Sequence, residues 1–383
     1  MRFETFFSLL VFAVSGFGRD WPALTGEGML ALEQARYADA GRSFSAAAAL
    51  AESFEDCDPR VARAANNVAA LHHALGRYAL AEESYRRALG WHRQYRPVPD
   101  METAAVLNNL AATLRAQARL DEAAALAKEA VAIAGPAGGG IAAARFLFTL
   151  AEIERSRGRG AEVEAHVRRA LDLTDDGLLR AHLNQSLAAQ SLQDGDTERA
   201  ERLQREAVSL FQSNLTAPHP HLASAASNLA EILTARGQHA AARELLESAL
   251  LQWRRTLGAD HPNAAVALNN LGQWHARMGQ TAEAENLLRE AIRTWEAAYG
   301  PGHPDIARAQ INLGALFEAA GKLSGAEKLY RRSFERMERA YGLSHPATVQ
   351  AATALARVWD RQRRTTEARA FRLRTGIAQG DAR

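Results

Sequence analysis

A single cysteine, Cys57, stands in the 383 residues, which excludes an intramolecular disulfide framework, a multi-cysteine zinc site and a Cys-x-x-Cys redox pair. A catalytic thiol needs an activating neighbour, and Glu55-Asp56-Cys57-Asp58-Pro59 reads instead as a helix-ending loop. Net charge is also scarce: 46 basic against 44 acidic side chains leave +2, so the total gives no pull toward nucleic acid or an anionic membrane. Aromatic residues are only 7%, and the 47% apolar fraction is inflated by alanine, a composition that suits helices stacked through small side chains. No run approaches the ~18 apolar residues of a membrane span.

Chemistry-bearing motifs are missing too. Walker-type loops, His-Glu-x-x-His and Gly-x-Ser-x-Gly do not occur, so no catalytic residue and no cofactor is expected. Gly138-Gly139-Gly140 lacks a following Lys-Ser/Thr and reads as a linker. Only one repeat carries the second histidine of His219-Pro220-His221, and the adjacent His72 and His73 point about 100° apart on a helix, so no metal site is expected. Arginine pairs such as Arg86-Arg87, Arg168-Arg169 and Arg254-Arg255 have no interleaved aromatics to stack bases. They sit downstream of Glu82, Glu83, Asp121, Glu122, Glu244, Glu283 and Glu327, an order that offsets the helix dipole and allows pairing four residues apart.

Residues 1–19 differ from the rest. Arg2 precedes the apolar run Phe6–Val14, and Ala13-Val14-Ser15 offers small residues before Gly16, the pattern of a secretory signal. The segment is expected to be a signal peptide, which would export the mature chain to the periplasm or outside with Cys57 as a free thiol. The alternative is a hydrophobic helix on the first repeat of a cytoplasmic protein.

What the chain does have is a period. His-Pro recurs at 219–220, 261–262, 303–304 and 345–346, in steps of 42 residues. Within one unit, Gly258-Ala259-Asp260-His261-Pro262 leads into a helical stretch, Gly279-Gln280 turns the chain, and a second stretch runs to Tyr299. Glycine (258, 300, 342) closes each second helix, and proline opens the next first helix. A helix pair cannot bury its apolar faces alone, so the period predicts an all-α fold, an α-solenoid of about nine stacked antiparallel helix pairs. The solenoid spans residues 20–378. Regular 42-residue repeats fill 59–134 and 219–344, shorter irregular ones fill 135–213, and 379–383 form a tail.

Asn-Leu-Gly (270–272, 312–314) or Asn-Leu-Ala (109–111, 228–230), the glycine turn seven residues on, and Ala284, Leu288 and Ala291 resemble the tetratricopeptide repeat. The 42-residue spacing with its Gly-x-x-His-Pro linker is similar to the kinesin-light-chain type. That resemblance implies a right-handed superhelix whose first helices line a concave surface, where an asparagine hydrogen-bonds the backbone of an extended peptide.

The residues fit that implication. On the helix after Pro262, Leu268, Leu271, Gly272 and His275 form a packing stripe, while Val266, Asn270, Gln273 and Arg277 project on the opposite side. Asparagine recurs there as Asn67, Asn109, Asn228 and Asn312, although it is a poor helix-interior residue. Thr149, Ser186 and Ala354 break the series. The expected groove comprises Asn67, Asn109, Asn228, Glu231, Asn270, Gln273, Arg277, Arg308 and Asn312. An asparagine ladder between neighbouring helices is the structural alternative. The function read from the sequence is a non-enzymatic protein-interaction module for a peptide segment of a protein partner, with an architectural, self-associating scaffold as the second reading.

Overall fold

The computed structural model describes residues 20–34, 36–135, 140–215 and 219–377. The candidate signal segment 1–19, Ala35 of the first turn, Gly138 and Gly139, and the tail 379–383 lie outside the described residues. Those described form eighteen α-helices and no strand. In order they are α1 (Asp20–Glu33), α2 (Tyr37–Ala51), α3 (Pro59–Ala74), α4 (Tyr78–Tyr95), α5 (Met101–Ala116), α6 (Leu120–Ala134), α7 (Gly140–Ser156), α8 (Gly160–Asp172) and α9 (Gly177–Gln193). There follow α10 (Thr197–Asn214), α11 (Pro220–Ala235), α12 (His239–Leu257), α13 (Pro262–Arg277), α14 (Thr281–Tyr299), α15 (Pro304–Ala319), α16 (Leu323–Tyr341), α17 (Pro346–Arg361) and α18 (Thr365–Thr375).

The chain divides into two compact units, Met1–Ala242 and Arg243–Arg383. In the first, α1 packs on α2, α3 on α4, α5 on α6, α7 on α8 and α9 on α10, and each second helix packs on the first helix that follows. First helices also touch the next first helix, as α3 does α5 and α5 does α7. The second unit repeats the scheme with α13 on α14, α15 on α16 and α17 on α18, and with α15 against both α13 and α17.

Three local devices produce this order. The turn inside each pair is made by one residue with positive φ at Gly76, Ala118, Gly158, Gly195, Gly237, Gly279, Gly321 and Arg363, which keeps the same 42-residue register and the same contraction in the middle of the chain. The helix-to-helix linker uses histidine as a cap. Nδ1 of His219, His261, His303 and His345 accepts the backbone N–H two residues on, at 3.1, 3.2, 3.2 and 3.0 Å, with proline at the first helical position. The imidazoles of His303 and His345 lie flat on Tyr299 and Tyr341 at 3.8 and 4.1 Å between ring centres. Before each, Gly300 and Gly342 take φ/ψ of 75°/172° and 80°/173°. The φ is positive as expected, but ψ is extended rather than helical, so the chain leaves the helix straight into the linker.

The third device is a small-large-small row on the second helices, such as Ala81-Tyr85-Ala88, Ala284-Leu288-Ala291 and Ala40-Phe44-Ala47, all buried. The large member faces the small residue of its paired first helix. A Cβ added at Gly28, Gly272 or Gly314 would lie 2.5, 2.9 or 2.6 Å from Phe44, Leu288 or Tyr330. At the contracted linker 174–177 the His-Pro cap is replaced by Asp176, whose carboxylate accepts from Leu179 N–H at 2.7 Å, while Arg180 donates to the Leu171 and Thr174 carbonyls.

Candidate functional site

The asparagines lie on the first helices, as the sequence placed them, but not all of them face outward. Asn67 and Asn109 are 2% and 0% exposed. Asn109 Nδ2 donates to Asn66 Oδ1 on the preceding first helix at 3.2 Å, and Asn66 Nδ2 donates to Asn67 Oδ1 at 3.4 Å. These two asparagines are therefore buried within the stack. The expectation treated a helix as having one packed side, whereas α3 and α5 pack on their own partner helices and on each other.

The same rung recurs with other chemistry. Ser186 donates to Glu152 at 2.7 Å between α9 and α7, and His73 Nδ1 lies 2.9 Å from Thr113 Oγ1 between α3 and α5. Burial pushes His73 down to about 4, with Arg115 adding to it, so the imidazole is neutral there. Burial pushes the Glu152 carboxyl up, but Arg155, Arg115 and the Ser186 hydroxyl outweigh it and its pKa is lowered. In the second unit Asn312 Nδ2 donates to Asn269 Oδ1 at 2.9 Å. Beyond it Glu318 accepts from Arg357 at 2.9 Å and from Arg361 at 3.2 Å.

Asn66, Asn269, Glu152 and Glu318 were missed as partners in the sequence reading. For the asparagines the signal was present: the amide is doubled at 66–67, 108–109 and 269–270, and the first of the pair at 66 and 269 accepts from the next first helix.

The remaining candidates keep solvent access. In the second unit Asn270, Gln273, Arg308 and Asn312 are half-buried and Arg277 is exposed on α13 and α15. Arg277 has no ion-pair partner among the described residues, while Arg308 pairs with Asp305 at 3.3 Å. Among the described residues, Asn270 Oδ1 is held only by a long 3.4 Å contact from Asn269. In the first unit Asn228 and Glu231 are half-buried on α11. His275, expected in the packing stripe, is half-buried beside the turn and hydrogen-bonds Gln280.

Ion pairs run between repeats more than the dipole argument anticipated. Arg86 pairs with Glu82 on its own helix at 2.9 Å but also with Glu122 on the next second helix at 2.5 Å, and Arg254 reaches Glu290 at 2.6 Å. Among the described residues there is no cluster of metal-ligating side chains, and no helix is long and apolar enough to cross a membrane.

Among solved structures, a Rap protein complexed with Competence and Sporulation Factor aligns over 92% of this chain and 100% of its own, at 14% identity and a TM-score of 0.53. A Podosopora anserina protein of nearly identical kinesin-light-chain TPR-like repeats aligns over 53% of this chain and 94% of its own, at 24% identity and a TM-score of 0.44. BtubC (BKLC) from P. vanneervenii aligns over 64% and 94%, at 20% identity and a TM-score of 0.44. No curated protein matches the chain. The tetratricopeptide repeat family model matches residues 60–136, 177–250, 221–297 and 278–339, together more than half of the sequence. With the helix pairs, the turn register and the small-large-small packing all in place, the chain belongs to the tetratricopeptide repeat family.

Proposed function

We propose that this protein is a non-enzymatic interaction module that holds an extended segment of a protein partner along its first-helix faces. The observation that carries the reading is the row Asn270, Gln273 and Arg277 on α13 with Arg308 and Asn312 on α15, all solvent-accessible and fixed in relative register by the Asn269–Asn312 hydrogen bond. Amides supply both a donor and an acceptor to a peptide unit, and Arg277 favours an acidic segment. In the first unit, Asn228 and Glu231 on α11 are side chains of the same kind with solvent access. The fold is one that a Rap protein uses in its complex with Competence and Sporulation Factor.

The test uses residues outside the rung. Asn270→Ala/Gln273→Ala/Arg277→Ala should remove about 1.5–4.5 kcal/mol from the affinity for a partner purified from the native source, at least about tenfold in Kd. Its melting temperature should match wild type. Unchanged affinity with unchanged melting would overturn the reading.

The second reading, an architectural scaffold, is favoured by the buried Asn66–Asn109 rung. If first-helix amides serve only the stack, Asn109→Ala lowers stability and no first-helix variant alters partner binding. Export through the Phe6–Val14 segment is part of the proposal, and intact Met1–Ser15 on cytosolic protein by N-terminal sequencing would refute it.

A further inference from the structure

Several arginines on the exposed sides of the second helices have acidic partners. Arg331 on α16 pairs with Glu327 at 2.8 Å, and Arg289 on α14 pairs with Glu285 at 2.9 Å. Arg332, Arg336 and Arg339 are gathered at one cavity. Spaced four and three residues apart, they share one side of α16, where with Glu335 and the linker residues Pro301 and Gly302 they line a cavity of about 300 Å³. Neither Arg332 nor Arg339 has an ion-pair partner among the described residues, and Arg339 Nε donates only to the Glu335 backbone carbonyl at 3.0 Å. Arg336, with its side chain 11% exposed, reaches Glu296 through Nη2 at 2.9 Å, while its Nη1 is buried with no hydrogen-bond partner.

A buried guanidinium N–H with no acceptor is costly, and such groups in a folded protein call for an explanation. Helix formation supplies none. The positions 42 residues earlier, on α14, are Glu290, Thr294 and Ala297, and that repeat packs in the same way. The linker side of the cavity is open as well: a Cβ built on Gly302 meets nothing within 4 Å.

We propose that this cavity binds the dianionic phosphate of a phosphate monoester, with Arg336 Nη1 as the fixed donor and Arg332 and Arg339 as the two arms. Guanidinium groups are planar, permanently charged and shaped for bidentate contact with phosphate oxygens, and three of them line this cavity with Glu335 as its one lining carboxylate, Glu296 holding Arg336 through Nη2. The cavity takes the phosphate head and leaves the rest of the molecule outside, so a phosphorylated side chain of a partner and a small free phosphate present the same chemistry. The site lies on α16, apart from the first-helix row of α13 and α15, and stands whether or not that row binds a peptide.

Isothermal titration of the full chain with inorganic phosphate, O-phosphoserine and acetate at low ionic strength tests it. Saturable one-to-one binding of the phosphates is expected, with acetate at least about tenfold weaker and with affinity falling as salt is added. Tighter binding of phosphoserine assigns a phosphorylated partner side chain; equal binding assigns a small free anion. Arg332→Ala/Arg339→Ala should weaken binding at least about tenfold, and Gly302→Leu should do the same by filling the space, both with unchanged circular dichroism. No saturation by about 20 mM phosphate, equal binding of acetate, or indifference to both variants would overturn the assignment.

Discussion

Replacing Gly314 with alanine sets two effects of opposite sign against each other. Gly314 lies inside α15, where alanine is the better helix former by about 0.5–1 kcal/mol. Its new Cβ, however, would sit 2.6, 2.9 and 3.0 Å from Cε1, Cδ1 and Cζ of Tyr330, well inside the ~3.5–4.0 Å of carbon–carbon contact. The ring has little room to retreat. Tyr330 is 0% exposed, and its hydroxyl donates to Glu318 at 3.0 Å, the carboxylate that also receives Arg357 and Arg361. Overpacking of this kind costs about 1–3 kcal/mol, and a ring shift also loosens a hydrogen bond to a charged acceptor. The packing term wins, and Gly314→Ala should lose about 1–2 kcal/mol net. Gly90, inside α4, provides the control, because a Cβ there meets nothing within 4 Å. Gly90→Ala should gain about 0.5–1 kcal/mol from helix propensity alone. Urea unfolding monitored by circular dichroism compares the two, and hydrogen exchange should localise the Gly314→Ala loss to α15 and α16. A Gly314→Ala protein as stable as wild type, or more so, would refute the close-packing argument.

Two further outcomes follow from turns and histidines. Ala118 holds φ of 59° at a turn position where six other repeats carry glycine; Ala118→Gly should stabilise by about 0.5–1 kcal/mol in the same assay, since the left-handed conformation costs a residue with a Cβ about 1 kcal/mol. His182 is pushed down to about 4 by burial, and His221 to about 3 by burial and then by His182 and His219. Both bind fewer protons folded than unfolded, so their contribution is complete above the unfolded value of about 6.5 and is lost as pH falls toward 4 and then 3. Melting temperature measured from pH 7.5 to 4 should fall, and His182→Leu/His221→Leu should flatten the profile.

Much of this fold was legible because its determinants are local. Glycine at the turn and His-Pro at the linker act within a few residues, and their 42-residue recurrence reports the stack directly. The histidine's role as the cap itself is not legible in the sequence, because imidazole is not among the side chains that commonly cap a helix. The site was harder. A helical wheel assigns Asn67 and Asn270 the same angle, yet one is closed off and the other is open, since burial depends on how closely successive first helices approach and not on the residue's own helix. The arginine side of α16 was hidden for a related reason: charge order along a second helix satisfies the dipole argument whether or not each arginine finds a partner, and only the three-dimensional pairing shows which do not.

Most bonds between repeats share a direction, although Arg63–Glu102, Arg86–Glu122 and Arg254–Glu290 run the other way. The acceptor stands in the earlier repeat and the donor in the later one for Asn66 and Asn109, Glu152 and Ser186, and Asn269 and Asn312. It is so again for Glu82 and Arg119, Asp121 and Arg157, Glu164 and Arg199, and Glu327 and Arg364. Such a stack works like tongue-and-groove boarding. A repeat moved elsewhere in the same orientation presents its tongue to a groove, whereas two like ends brought together set donor against donor or acceptor against acceptor. Growth by copying such a unit in tandem reuses an existing interface, and where the direction holds the leading and trailing faces of a repeat are chemically different surfaces.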